Sequence, residues 1–421
     1  MKPLPVEIIE KIIDNVPDGQ TFVACSLVCK EWLFRCRFYL FQRVSLRAGD
    51  ASDVLPFLSG PTQYKAGAFT HSLIVTESSP DILSQYKSGW ETVRTLIDAV
   101  PNVREIQMFG VTEWALERYL DGLILRDLRN RKNQDSDARN PVVLEDITLS
   151  DVRTRDWEAI QTRLRRCSDT LKCIRISSLH FYGSTDQLSK PAAMLHDLPT
   201  REDTDQSSDD EFTEFQDFIP PQASFENIER LALEGENSRS RFADSFLREI
   251  APSPTASLPK LTVLDLFFPL PSHSRVLFHA ACTTITELTI RCDTFSTPVD
   301  AEFISRTKMD FSSLKALTNL SIVGIRVYPS AVAYQVLEGL LSGLRSYMYT
   351  TLKVLHLSYK SDMGRSPHSI DQWNALDEVL SLPNLMTSLQ ILELNGILSS
   401  AGQILWYLPN ARDRKIIRII S

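Results

Sequence analysis

The sequence predicts an α/β chain in which short parallel strands alternate with helices, preceded by a small all-helical segment. Three observations carry this. One apolar pattern recurs nine times from residue 100 onward, helical periodicity fills the stretches between copies, and the first 46 residues show helical spacing. The chain has 421 residues, of which 43% are hydrophobic and 23% charged, so global disorder is excluded. Two or three units are expected at roughly 100–200 residues per domain. An array of repeats relaxes that figure, because it grows by stacking and not by enlarging one core.

The N-terminal segment comes first. Ile8, Ile9, Ile12, Ile13 and Val16 recur at helical spacing as a broad apolar stripe. Pro5 sits where a first helical turn tolerates proline, and Pro17-Asp18-Gly19 predicts a turn that ends the helix. Phe22, Val23, Leu27 and Val28 mark a second short helix, and a third begins near Lys30 with Trp32, Leu33 and Phe34. Cys25, Cys29 and Cys36 have the spacing of buried apolar positions on these helices. Three short helices cannot bury all these side chains among themselves, so the excess predicts a partner or an adjoining domain.

The run Leu4-Pro5-x-Glu7-Ile8, then Ile12, then Leu27-Val28-Cys29-Lys30-x-Trp32 resembles an F-box. A plain helical cap on the following repeats explains the apolar stripe but not the two motifs joined at this spacing. The resemblance implies an F-box over residues 1–46 that binds a Skp-family adaptor protein, and through it a cullin-type ubiquitin ligase. Leu4, Pro5, Ile8, Ile9 and Ile12 are the implied adaptor anchors, with Leu27, Val28 and Trp32 shared between partner and internal core.

The repeated pattern is apolar-x-x-apolar-x-apolar. It stands at Val103-Ile106-Met108, Leu144-Ile147-Leu149, Leu171-Ile174-Ile176, Ile228-Leu231-Leu233 and Leu261-Leu264-Leu266. It continues at Ile285-Leu288-Ile290, Leu317-Leu320-Ile322, Leu352-Leu355-Leu357 and Leu389-Leu392-Leu394. A tenth copy at Leu73 and Val75 has Thr70 in its first position. Alternation at the last two positions predicts strands with one face on a core. Helical segments are expected at 112–131, 155–167, 241–250, 330–344 and 369–380. The strand pattern resembles leucine-rich repeats, which implies an irregular solenoid over residues 47–421 with parallel strands on a concave face and helices on a convex one. Intervals between copies run from 24 to 57 residues, against roughly 20–29 in the family. The Asn or Cys expected eight residues after the first Leu is replaced by Pro269, Asp293, Lys360 and Ile397 in four copies, so the usual side-chain ladder is absent or substituted.

Strand residues that alternate with the buried pair are expected to face a bound protein: Glu105, Gln107, Phe109, Arg175, Arg230, Asp265, Phe267, Glu287, Arg291, His356 and Glu393. Phe109 and Phe267 are the candidate anchors, since aromatics on an exposed sheet mark interaction sites. Residues 197–217 hold nine carboxylates and one arginine. Such a segment cannot bury enough surface to fold alone. Ser207 and Ser208 before Asp209-Asp210-Glu211 resemble an acidic-directed phosphorylation site.

Outside that insertion the chain is near neutral and shows no basic stripe, which argues against nucleic acid as a partner. No apolar run is long and clean enough to predict a membrane span, and the charged opening predicts no signal peptide. Seven cysteines without a CxxC pair predict reduced thiols in an intracellular protein, cytoplasmic or nuclear. His273, His279 and Cys282 match no usual zinc spacing, and no nucleophile elbow, P-loop or dinucleotide fingerprint occurs. The expectation is a substrate-recruiting ligase subunit with no catalytic residue and no cofactor or metal. The alternative is an F-box interaction protein acting outside a ligase.

Overall fold

In the computed structural model the described residues are 5–16, 19–59, 66–77, 90–132, 143–154, 157–181, 225–234, 241–268, 270–292, 309–326, 330–360, 368–396 and 401–420. The acidic insertion, with Ser207 and Ser208, lies outside them. The chain forms two compact units, one of Met1–Thr170 with Leu179–Ser224, the other of Leu171–Ser178 with Phe225–Ser421.

The first unit opens with helices α1 (Val6–Asp14), α2 (Gly19–Ser26) and α3 (Lys30–Phe41), followed by β1 (Arg43–Arg47) and helix α4 (Ala51–Ser59). Strands β2 (Ser72–Thr76), β3 (Glu105–Phe109), β4 (Asp146–Ser150) and β5 (Arg153–Thr154) come next. The second unit begins with β6 (Cys173–Ser177), while β7 (His180–Phe181) belongs to the first and pairs in parallel with β5. β8 (Arg230–Glu234), β9 (Val263–Phe267), β10 (Glu287–Arg291), β11 (Asn319–Arg326), β12 (Val354–Lys360), β13 (Ile391–Asn395) and β14 (Ile417–Ile420) complete the second. In the first unit β1 to β4 pair in sequence order, and in the second β6 and β8 to β14 do the same, all parallel. The fold is α/β. Helices fall at 157–166, 241–250, 330–346 and 370–380, close to the expected spans, with the Ser369 side chain capping the last.

The reason for the repeated pattern is burial. No apolar position in any of the nine copies is more than 3% exposed. In-register pairing stacks these side chains into continuous rows, one of which runs Ile174, Leu231, Leu264, Leu288, Leu320, Leu355, Leu392 and Ile417. The tenth copy obeys the same rule, with Thr70, Leu73 and Val75 all fully buried. β1 pairs with β2 already at Arg43, inside the segment expected to be helical throughout.

Consecutive layers are tied by the backbone. The carbonyl just before one strand accepts two amides from the layer that follows. Lys172 accepts from Glu229 (2.7 Å) and Arg230 (3.0 Å), Glu229 from Thr262 (2.9 Å) and Val263 (3.1 Å), and Thr262 from Thr286 (2.9 Å) and Glu287 (3.1 Å). Thr286, Thr318 and Lys353 continue the series, and Gln42, His71 and Arg104 do the same in the first unit. This ladder satisfies main-chain groups at the entry to each strand whatever side chain stands there. Of the four positions where an Asn or Cys is missing, Pro269, Asp293 and Ile397 lie outside the described residues.

Strand exits need special backbone. Gly110 and Gly396 have positive φ, as do Asp151 and Ser178, while Gly324 has it within β11, at the register shift between Ile322 and Ile325. Gly396 has φ +78, and a Cβ there would be driven into the carbonyl oxygen of Tyr359. Gly396→Ala is therefore expected to cost about 2 kcal/mol or more of stability, read as a lower denaturant midpoint. An unchanged midpoint would show that this turn relaxes freely.

The helical layer of the first unit carries its own polar core. A π-helical turn at Leu116–Asp121 interrupts the helical run that continues to Lys132. Asp121 in that turn is buried against Arg163, with Nη2 3.0 Å and Nε 3.1 Å from its carboxylate oxygens. Burial pushes the Asp121 carboxyl upward, and the guanidinium opposes that shift. Arg126 donates to the carbonyls of Val100 (3.0 Å) and Val103 (2.8 Å), and Asp127 accepts from the Leu144 amide at 2.6 Å.

Candidate interaction surfaces

Helix α1 is apolar on two sides, and α3 decides which side faces inward. Ile9 and Ile13 are buried with Cys36 of α3, and Phe22, Cys25, Trp32 and Tyr39 pack around them. Ile8 and Ile12, one turn apart on the other side, are each 43% exposed. Pro5 is exposed at the start of α1, where its carbonyl accepts from the amides of Ile8 and Ile9. Leu27 and Val28 occupy the turn between α2 and α3 and are 82% and 64% exposed. The expected anchors thus divide. Pro5, Ile8, Ile12, Leu27 and Val28 face solvent, Ile9 belongs to the core, Trp32 is half-buried against it, and Leu4 lies outside the described residues.

An ion pair fixes α1 on α3. Arg35 meets Asp14 with both arms, Nε to Oδ1 at 2.8 Å and Nη2 to Oδ2 at 2.9 Å, and the Tyr39 hydroxyl donates to Oδ1 at 2.8 Å. The Arg35 bond, then the Tyr39 bond, hold the Asp14 carboxyl below the ordinary carboxylate range. The three expected core cysteines are not alike, since Cys36 is buried, Cys25 half-buried and Cys29 exposed at the start of α3. None of the seven cysteines is in a disulfide.

The second surface is the strand face opposite the apolar rows. Register aligns Arg175, Ala232, Asp265, Thr289, Ser321, His356, Glu393 and Arg418 across the second unit. Two clusters form on it. Arg291 places Nη2 2.6 Å from Asp265 and 3.3 Å from Glu234. Burial pushes the Asp265 carboxyl up, with Arg291 acting against it. Further along, Glu393 lies 3.5 Å from His356 Nδ1 and 3.0 Å from Arg418 Nη1. Arg175, Arg230 and Glu287 are exposed. In the first unit Phe109 is half-buried, and Gln107 donates to Glu105.

Phe267 departs from expectation. It is only 4% exposed. Arg291 on β10 reaches Glu234 on β8, so its side chain crosses the face of β9, where Phe267 stands opposite it in register. With so little of the ring in water, Phe267 cannot serve as an exposed anchor. Glu234 and Arg418 are members of these clusters that the sequence reading missed. Glu234 follows from simple alternation along β8. Arg418 does not, because Arg414 stands where the pattern of β14 needs an apolar residue. Its guanidinium instead donates to the carbonyls of Leu380 (3.0 Å) and Leu389 (2.8 Å).

Among the described residues no group of three or more His, Cys, Asp or Glu side chains could hold a metal ion. His273 Nε2 lies 2.9 Å from the Ala251 carbonyl, and His279 Nδ1 lies 2.8 Å from that of Arg275. No described helix is long and apolar enough to cross a membrane. Comparison with models of known protein families gives no match, and comparison with curated proteins gives none either.

Proposed function

We propose that this chain is a non-catalytic substrate-recognition subunit of an SCF-type ubiquitin ligase. Its N-terminal helices would act as an F-box on a Skp-family adaptor, and its strand–helix layers as a divergent leucine-rich-repeat-like solenoid on the protein to be ubiquitylated. The observation that carries the reading is the double apolar face of α1. A helix that buries Ile9 and Ile13 inward has no internal use for Ile8 and Ile12, and Leu27 and Val28 at the α2–α3 turn are equally unspent. Exposed aliphatic side chains on a small helical unit fit a partner's apolar groove. The strand face suits a protein partner, because its paired charges are spread over many layers and recognise an arrangement, not a single small molecule.

The chain needs no acid, base or nucleophile in this role. It supplies effective concentration, holding a substrate lysine near an activated ubiquitin carried by other subunits. The test is a pull-down with recombinant Skp-family adaptor, comparing the full chain with a fragment beginning at residue 42, which removes the three helices and keeps β1. Binding that vanishes with the helices supports the F-box, and absence of binding by the folded full chain removes the ligase reading. Replacing Leu4 and Pro5 together by Ala is expected to weaken adaptor binding by about 2 kcal/mol, roughly thirtyfold, if they are hot spots. Calorimetric titration of the double variant measures it, and unchanged affinity would take both residues out of the interface.

A further inference from the structure

Most charges on the strand face of the second unit are spent within it. Arg291 holds Asp265 and Glu234, and Arg418 holds Glu393. Arg230 on β8 and Glu287 on β10 are different. Both are exposed, and among the described residues no group forms an ion pair or side-chain hydrogen bond with either. Register sets them in one row, with half-buried Val263 of β9 between them. Two strand spacings therefore separate a cation from an anion, roughly 9–10 Å. Arg175 on β6 strengthens the cationic end. It is exposed, stands one strand from Arg230, and pairs in register with Ala232, whose side chain is too short to come between them. Asp265 also attracts Arg175, but both arms of Arg291 already hold that carboxylate.

We propose that this row binds an extended segment of a partner protein that carries a carboxylate and, three residues away, a basic side chain. The carboxylate meets Arg230 and Arg175, and the base meets Glu287. Spacing dictates the pattern. In a polyproline II segment residues three apart share one side at about 9 Å from each other, which matches two strand spacings. The aliphatic stem of the basic residue lies over Val263. Neither contact displaces an ion pair or hydrogen bond of the face. A nucleic acid is a poor occupant, because its continuous phosphates would set like charge against Glu287. The inference rests on the reading of the strand face as the surface that holds the protein to be ubiquitylated, and it names the charge spacing which that surface selects.

The experiment titrates the full chain, by fluorescence anisotropy, with the labelled peptide Gly-Pro-Glu-Pro-Val-Lys-Pro-Gly and with its Glu/Glu and Lys/Lys counterparts. The mixed peptide is expected to bind about threefold tighter or better than either like-charged one. Arg230→Glu should move the preference to the Lys/Lys peptide, and Glu287→Arg should move it to the Glu/Glu peptide. If either variant melts differently from the parent, Arg230→Gln or Glu287→Gln replaces it, and the advantage of the mixed peptide over the Lys/Lys or the Glu/Glu peptide, respectively, must then fall. Equal affinity for the three peptides, no measurable binding, or a ranking that the variants leave unchanged would overturn the proposal. Adaptor capture by the same preparation separates the two readings. A failed ranking with capture intact overturns the charge spacing alone, whereas a correct ranking without capture removes the ligase reading and leaves the charge spacing standing.

Discussion

Arg163→Met is expected to destabilise the first unit by about 3–5 kcal/mol at neutral pH, the cost of leaving a buried carboxylate without its partner. Arg163 and Asp121 are both buried and joined by a two-armed contact, with Arg163 Nη2 also 3.7 Å from Glu117. The guanidinium compensates the charge that burial otherwise disfavours on Asp121. Once it is gone, the Asp121 carboxyl rises further and the variant gains relative stability as pH falls, because protonation removes the stranded charge. The double variant Arg163→Met with Asp121→Leu should recover most of the loss, since an apolar pair of similar volume often matches a buried ion pair. Denaturant titration of the three variants checks this. A single variant as stable as the parent would mean that water reaches Asp121.

The second large effect is a loss of stability in mild acid that arises at His368. Its ring is buried against Tyr359 and Trp373, at centroid distances of 5.4 Å and 5.0 Å, and Nε2 lies 3.1 Å from the Tyr359 hydroxyl. Burial pulls its pKa down to about 3. In the unfolded chain the value is about 6.5. Above that pH the ring is neutral in both states and has no linkage effect. As pH falls through 6.5 the unfolded chain takes up a proton that the folded chain refuses, so stability declines until the folded value is reached. The loss amounts to about 2 kcal/mol at pH 5 and about 3 kcal/mol at pH 4. Stability measured against pH for the parent and for His368→Gln should show a shallower decline in the variant. Parallel curves between pH 6.5 and 4 would place the acid sensitivity elsewhere.

The strand layers were legible because their rule is local. Three apolar positions at fixed spacing bury themselves wherever they occur, so all nine copies could be read directly. The two-residue strands β5 and β7 carry no such pattern, and β1 and β14 escaped for opposite reasons. Phe41-x-x-Val44-x-Leu46 obeys the pattern but stands beside helical periodicity that claimed the same residues, and ahead of β14 the first apolar position is held by Arg414. The backbone ladder could not be read at all, since Lys172, Glu229, Thr262 and His71 share a carbonyl and nothing else. The N-terminal helices were half legible. Periodicity joins Ile8, Ile9, Ile12 and Ile13 into one broad stripe, and only the position of Cys36 shows which pair faces inward. On the strand face, alternation placed Phe267 opposite the apolar rows but could not foresee that the ring would be buried there.

That shared carbonyl has a consequence for how this chain can vary. Each layer is joined to its neighbour by main-chain atoms at the strand entrance, so the linkage does not depend on the identity or length of what lies between. The stretch from one strand to the next can lengthen, as it does before Glu229, without disturbing the join. A whole layer could in the same way be lost or duplicated and the flanking carbonyl and amides would still find equivalent partners. Length would then drift by complete layers and by loop insertions, while the spacing of three apolar residues around each strand stays fixed.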